Sequence, residues 1–274
     1  MLNLSKTQFK RLLKISRPKF WHYTAGPFAL GTIPFLKQNP NQIFIFLPIF
    51  FWFLIFGNFF IYGVNDLYDQ DTDAHNSKKD NQDEIKLQKS EQNLLKISLL
   101  ISLALGLPLA FINPLTTLFF VSFLLFSWQY SAPPIRAKSR PIIDGIFNVL
   151  YVLPATIPFA INANFPPLNA FLAATLWCMA MHAFSAIPDI SADKKVNLLT
   201  TAVLLGHKGT LIYCLACYFL AILILPITTI FLIPYIIILT ILIFQKPEST
   251  SKFYPYFPII NLLIGMLLFF YLVI

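Results

Sequence analysis

The chain has 274 residues, 57% of them hydrophobic and only 12% charged, with a mean hydropathy of +0.68. So few charges, against roughly a quarter in a soluble domain, exclude a water-soluble globular protein and make the bilayer its solvent. The net charge of +8 then reads as topology and attraction to anionic lipid, not as a nucleic-acid surface.

Residues 1–19 interleave Leu4, Phe9, Leu12, Leu13 and Ile15 with Lys6, Lys10, Arg11, Lys14 and Arg17. That alternation predicts a basic amphipathic helix lying in the membrane interface. Hydrophobic runs long enough for the roughly 20 residues of a crossing follow at 20–37, 43–65, 94–112, 115–131, 142–162, 168–187, 210–225, 226–245 and 255–273. The fold expected is an all-α integral membrane protein of about nine transmembrane helices in one domain, 1–274. Positive charge tests the count independently of hydropathy. With a cytoplasmic N-terminus, all 20 Lys and Arg except Lys37, and all 12 acidic residues, fall on the cytoplasmic side. The opposite loops, such as Asn113-Pro114 and Asn162 to Pro167, are short and uncharged. An inner-membrane protein with cytoplasmic polar loops is therefore expected, its longest polar connection at 66–93 acting as a cap loop.

That connection opens on Asn65-Asp66-Leu67-Tyr68-Asp69-Gln70-Asp71-Thr72-Asp73. On a helix Asn65, Asp69 and Asp73 share one face, Asp66 neighbours Asp69, and Asp71 points elsewhere. A second acidic pair, Asp189 and Asp193, follows the sixth hydrophobic run at the same four-residue spacing. The two clusters stand four helices apart, so two four-helix halves place both on one membrane face. Crowded carboxylates at a membrane boundary need a counterion, and Mg²⁺ takes oxygen ligands and shares them with substrate phosphates. The segment from Asp69 to Asp73 also fits the start of a calcium loop, but Ala74 stands at the glycine position and Asp80 at the bidentate glutamate position. Between the clusters, Tyr130-Ser131-Ala132-Pro133-Pro134-Ile135-Arg136-Ala137-Lys138-Ser139-Arg140 forms a proline turn with three cations. Cations there can neutralise a departing diphosphate, and Lys78 and Lys79 are close enough in sequence to join them. Asp144 reads as a helix-opening carboxylate, His22 and His182 as packing or hydrogen-bonding residues and not ligands, and Cys178, Cys214 and Cys217 as buried thiols.

Together these three motifs resemble the UbiA-type intramembrane prenyltransferases: NDxxDxxxD after the second helix, YSxPPxRxK after the fourth and DxxxD after the sixth. The resemblance spans nearly the whole chain. Asn197 stands where the second acidic motif often continues to glycine. The resemblance implies a helical bundle around a central lipid-accessible cavity that binds Mg²⁺ and an isoprenyl diphosphate. Asn65, Asp66, Asp69, Asp73, Asp189 and Asp193 would hold the metals and diphosphate. Lys138 and Arg136, with Tyr130, Arg140 and Lys78, would assist the leaving group. The segments YGVND, SAPPIRxKSRP and AIPDIxAD, with Ser16-Arg17-Pro18, are similar to the branch that contains lycopene elongases, which implies an acyclic carotenoid acceptor. An aromatic acceptor, as in quinone biosynthesis, is the alternative, with Arg17 meeting a substrate carboxylate. The apolar bundle would shelter the allylic cation from water, with rings such as Tyr62, Phe59, Trp128 or Phe184 beside it. From a different class, an ion-coupled transporter also places carboxylates in membrane helices. Such sites lie near the bilayer midplane, whereas these acids sit at helix ends beside a basic loop.

Overall fold

The computed structural model describes residues 6–69 and 91–274. Asp71, Asp73, Lys78, Lys79 and most of the expected cap loop lie outside the described residues. Within them the chain is all helical, with no strand.

The basic segment forms α1 (Lys6–Ile15). Ile15 packs with Phe59, Phe60, Val64, Leu95 and Leu99, so the apolar side of α1 is seated partly on protein. A short 3₁₀ turn, Pro18–Phe20, leads into α2 (His22–Gln38). Next comes α3 (Pro40–Tyr68), which widens to a π-helix over Trp52–Gly57. A π turn misaligns backbone carbonyls and frees them for other donors. The Phe53 carbonyl accepts from Thr24 Oγ1 of α2 at 2.7 Å and from Asn58 Nδ2 at 3.0 Å. Two further helices, α4 (Gln92–Phe111) and α5 (Pro114–Ser131), complete the first half. Asn113 caps α5, accepting from Thr116 N–H at 2.9 Å.

The predicted crossing at 142–162 is two helices, α6 (Ile143–Tyr151) and α7 (Leu153–Ile161), bent by 44°. Pro154 stands in the first turn of α7, where its missing N–H ends the ladder from α6. α8 (Leu168–Lys195) runs past its predicted end through a 3₁₀ turn at Ile187–Asp189, where Pro188 breaks the α-helical bonding. α9 (Thr201–Ile224) begins nine residues before the hydrophobic run at 210, because Thr200 caps it and the helix continues on both sides of a kink at Gly206, φ +66°. α10 (Pro226–Ile243) and α11 (Pro247–Val273) end the chain.

Close packing is built where side chains are small. A Cβ on Gly31 of α2 would lie 2.2 Å from the Ala155 carbonyl of α7, so this pair of helices touches backbone to backbone. Trp52, Phe53, Phe120 and Phe123 interlock edge to face between α3 and α5. The outer faces of α4, α10 and α11 carry exposed Leu, Ile and Phe, as lipid contact requires. Among the described residues six helices, or seven with α6 and α7 counted as one span, are long and apolar enough to cross a membrane. All nine predicted segments are helical, but α2 and α5 fall outside that set.

Candidate active site

A cavity of about 810 Å³ opens where α2, α3, α5, α6, α8 and α11 approach one another. Its polar end is made by both acidic motifs. Asn65 and Asp69 reach it from the last turn of α3, and Asp189 and Asp193 from the end of α8. α3 stays helical to Tyr68 with Asp69 as its C-cap, so the first motif starts on a helix and not in a loop. The four-residue register holds locally: Asn65 Nδ2 donates to Asp69 Oδ2 at 2.6 Å and to Ser131 Oγ of α5 at 2.9 Å.

Buried charge is matched by buried charge. Lys138, on the turn Ala137–Ser139, is ion-paired with Asp69, and the two residues are only 6% and 5% exposed. Arg17, in a left-handed backbone conformation at φ 49°, turns into the same end of the bundle. Its Nη2 lies 3.1 Å from Asp66 Oδ1 and its guanidinium 4.6 Å from the Tyr62 ring centroid. Asp66 itself is 3% exposed and does not line the cavity, so Arg17 stands between it and the open space. Arg136 and Arg140 do not line the cavity either. Arg140 is exposed and donates to the Pro134 carbonyl at 3.4 Å. Of the expected rings only Tyr62 reaches the cavity. Phe59 is buried among Phe60, Val64 and Leu95, Trp128 packs on Tyr68, and Phe184 on Phe257 at 4.3 Å between centroids.

Away from the acids the wall becomes aromatic and apolar, through Phe20, Tyr23, Ile61, Tyr151, Met181 and Phe257. Tyr62 and Tyr151 share a hydrogen bond at 3.2 Å. His182 also lines the wall, with Nε2 3.4 Å from the Tyr130 hydroxyl and 3.8 Å from Asp144 Oδ2. Asp144 is not merely a helix-opening residue. It is 1% exposed and accepts from the Gly145 and Thr201 N–H groups, each at 2.7 Å, and from the Thr201 hydroxyl, tying α6 to the N-terminus of α9. The sequence gives no sign of the Tyr130, His182 and Asp144 grouping, because its members come from three helices and nothing in their spacing links them.

The donor set suits a hard cation. Among the described residues no group of three or more His, Cys, Asp or Glu could enclose an ion alone. Asp69, Asp189 and Asp193 line the cavity, and Mg²⁺ characteristically takes one or two carboxylates and completes its shell with water and phosphate oxygens.

Fold and site define a helical integral membrane protein with an acid-lined and cation-lined cavity at one end and a long apolar wall beyond it. Residues 25–246 match the UbiA prenyltransferase family. The chain belongs to that family. It is 40% identical over 214 residues to a lycopene elongase/hydratase of Haloarcula japonica, covering 77% of this chain and 72% of that one. With the lycopene elongase/hydratase of Halobacterium salinarum it shares 31% identity over 264 residues, 94% and 95% of the two chains. Among solved structures, a UbiA homolog from Archaeoglobus fulgidus bound to DMAPP and Mg²⁺ superimposes over 96% of this chain and 99% of that chain, with a TM-score of 0.68 and 23% identity.

Proposed function

We propose that the protein transfers an isoprenyl group from a prenyl diphosphate to the end of an acyclic carotenoid, with Mg²⁺ at the two acidic motifs. One observation carries the reading: Asp69 with Lys138, and Asp189 with Asp193, meet at the polar end of a cavity whose remaining wall is aromatic and apolar. The relatives named lycopene elongase/hydratase support the carotenoid acceptor. Arg17 is engaged by Asp66 and Tyr62, which argues against its meeting an aromatic acid's carboxylate. Membership of a prenyltransferase family sets the transporter reading aside.

In this mechanism Asn65, Asp69, Asp189 and Asp193 would present the oxygens that hold metal and diphosphate, joined by Asp73 from the sequence motif, while Asp66, behind Arg17, would hold that cation at the cavity's edge. Mg²⁺ supplies Lewis acidity towards the diphosphate oxygens. Lys138, held by Asp69, is fixed beside the leaving group, so its charge is in place before the allylic C–O bond breaks. Tyr130, at the end of α5, lies on the same wall. Tyr62 and Tyr151 line the wall beside the place where the allylic cation forms, and Ile61, Met181 and Phe257 exclude the water that would capture it. The protein acts as a single domain, 1–274, with nine crossings of the inner membrane and the N-terminus and acidic motifs facing the cytoplasm.

Membranes containing the protein, given radiolabelled dimethylallyl diphosphate with lycopene or with an aromatic acid, test this directly. The expected result is a labelled carotenoid with Mg²⁺ and none with EDTA. Label in the aromatic product alone would overturn the acceptor assignment. Failure to bind or consume the donor with Mg²⁺ would overturn the enzyme assignment.

A further inference from the structure

Quenching the cation that forms on the acceptor requires a proton to leave, and the acids and cations at the polar end are committed to the diphosphate. We propose that His182 takes that proton, with Asp144 behind it and Tyr130 beside it; the inference rests on the prenyl-transfer reading above. His182 stands on α8 seven positions before Asp189, nearly the same face of the helix and roughly 10 Å deeper along it at 1.5 Å per residue. Both residues line the cavity. The diphosphate end and the imidazole are thus separated by about the length over which a five-carbon unit and the attacked double bond must fit.

Three features equip the imidazole for this step. Its Nε2 faces two neighbours at 3.4 and 3.8 Å, the Tyr130 hydroxyl and Asp144 Oδ2, both longer than a tight hydrogen bond, so neither commits it fully. Asp144 is buried and accepts hydrogen bonds from Gly145 and Thr201, which hold its carboxylate in place to balance an imidazolium. His182 has a side-chain exposure of 15%, all that a residue facing an internal cavity needs to meet substrate.

The balance is simple. The prenyl C–O bond breaks and its electron pair leaves with diphosphate; the acceptor double bond supplies the pair for the new C–C bond and is left as a tertiary cation. The His182 imidazole then accepts one proton, and the resulting imidazolium is balanced by Asp144 Oδ2, which Nε2 faces. The proton comes either from a carbon next to the cation, whose C–H pair forms the new double bond, or from a water that has added to the cation, leaving an alcohol.

The test compares His182→Gln with the parent enzyme in proteoliposomes, using dimethylallyl diphosphate and lycopene either unlabelled or deuterated around its terminal double bond, in H₂O and in D₂O. Binding of dimethylallyl diphosphate with Mg²⁺ reports an intact polar end. The expected outcome is donor binding within twofold of the parent, kcat reduced at least about 100-fold, and an isotope effect larger than the parent's. Deuterated lycopene raising it identifies the C–H source, and D₂O the water source. Tyr130→Phe, which keeps the imidazole, is expected to retain more activity than His182→Gln. Unchanged kcat, a fall in kcat with neither isotope effect altered, or loss of donor binding in His182→Gln would each overturn the proposal. If the parent enzyme makes no prenylated lycopene, the functional reading fails and this inference falls with it; if only the variant comparison fails, the inference alone is lost.

Discussion

Lys138 and Asp69 form a buried pair that joins two sequence motifs into one site. Asp69 holds the lysine inside the protein; the lysine offers the cavity a fixed positive charge that water does not have to reorganise around. Lys138→Met is therefore expected to lower kcat by about 10²–10³, the usual loss on removing one preorganised donor to a developing anion, while Arg140→Met changes it less than threefold because Arg140 points to solvent. Steady-state assays on both variants check this; equal losses would mean that the loop acts through its total charge. Asp193→Ala is expected to abolish turnover without preventing membrane insertion, read by product formation and by the protein's yield in the membrane fraction. At this scale the meeting of Asp69, Asp189, Asp193 and Lys138 at one cavity was legible in the sequence, since charges in a membrane protein are rare enough to demand a reason. His182 was not, because its meaning depends on Tyr130 and Asp144, 52 and 38 positions away, and on their meeting at one wall.

Helices and their breaks were legible to different degrees. Hydrophobic runs located all nine segments, but the bend at Pro154, the π turn at Trp52–Gly57 and the extension of α9 back to Thr201 depend on backbone bonds that hydropathy does not report. The glycines separate two causes of constraint. At Gly31 the obstacle is space: a Cβ would meet the Ala155 carbonyl at 2.2 Å. Gly206 has open space around it but sits at φ +66°, ψ −179°, a region open essentially to glycine alone. Gly31→Ala should destabilise the fold by about 1–3 kcal/mol through overpacking, and Gly206→Ala by about 1–3 kcal/mol through backbone strain. Gly265→Ala, with nothing within 4 Å, serves as the control. Thermal unfolding in detergent reads all three, and only the control should match the parent. Since Gly206 lies near the Thr201 and Asp144 tie between α9 and α6, its substitution should also depress activity, whereas the loss from Gly31→Ala should appear mainly as lower stability.

For the whole molecule the open quantity is the number of crossings, which fixes where the acid end of the cavity faces. α2, at 17 residues with Pro27 and Pro34 inside it, spans about 25 Å at 1.5 Å per residue, slightly short of a ~30 Å hydrocarbon core. It packs against α7 and α3, and α5 packs against α3 and α7 while ending at the polar Trp128-Gln129-Tyr130-Ser131. Helices screened from lipid by their neighbours need less apolar surface of their own, so falling outside a length and hydropathy criterion does not stop α2 and α5 from crossing. Charge gives the independent constraint: Lys37 alone separates from the other cations only if α2 carries it across. Nine crossings put the C-terminus opposite the N-terminus, and all carboxylates with the N-terminus. Reporter fusions after Lys246 and after Ile274 are therefore expected on opposite sides of the membrane, with Lys246 on the cytoplasmic side and a fusion after Asn164 sharing the side of Ile274. A cytoplasmic Ile274 with a cytoplasmic Lys246 would mean that α11 does not cross. A reversed Asn164 would break the equivalence of the two acidic motifs, because Asp69 and Asp193 reach one cavity from one face only if the stretch between them crosses an even number of times.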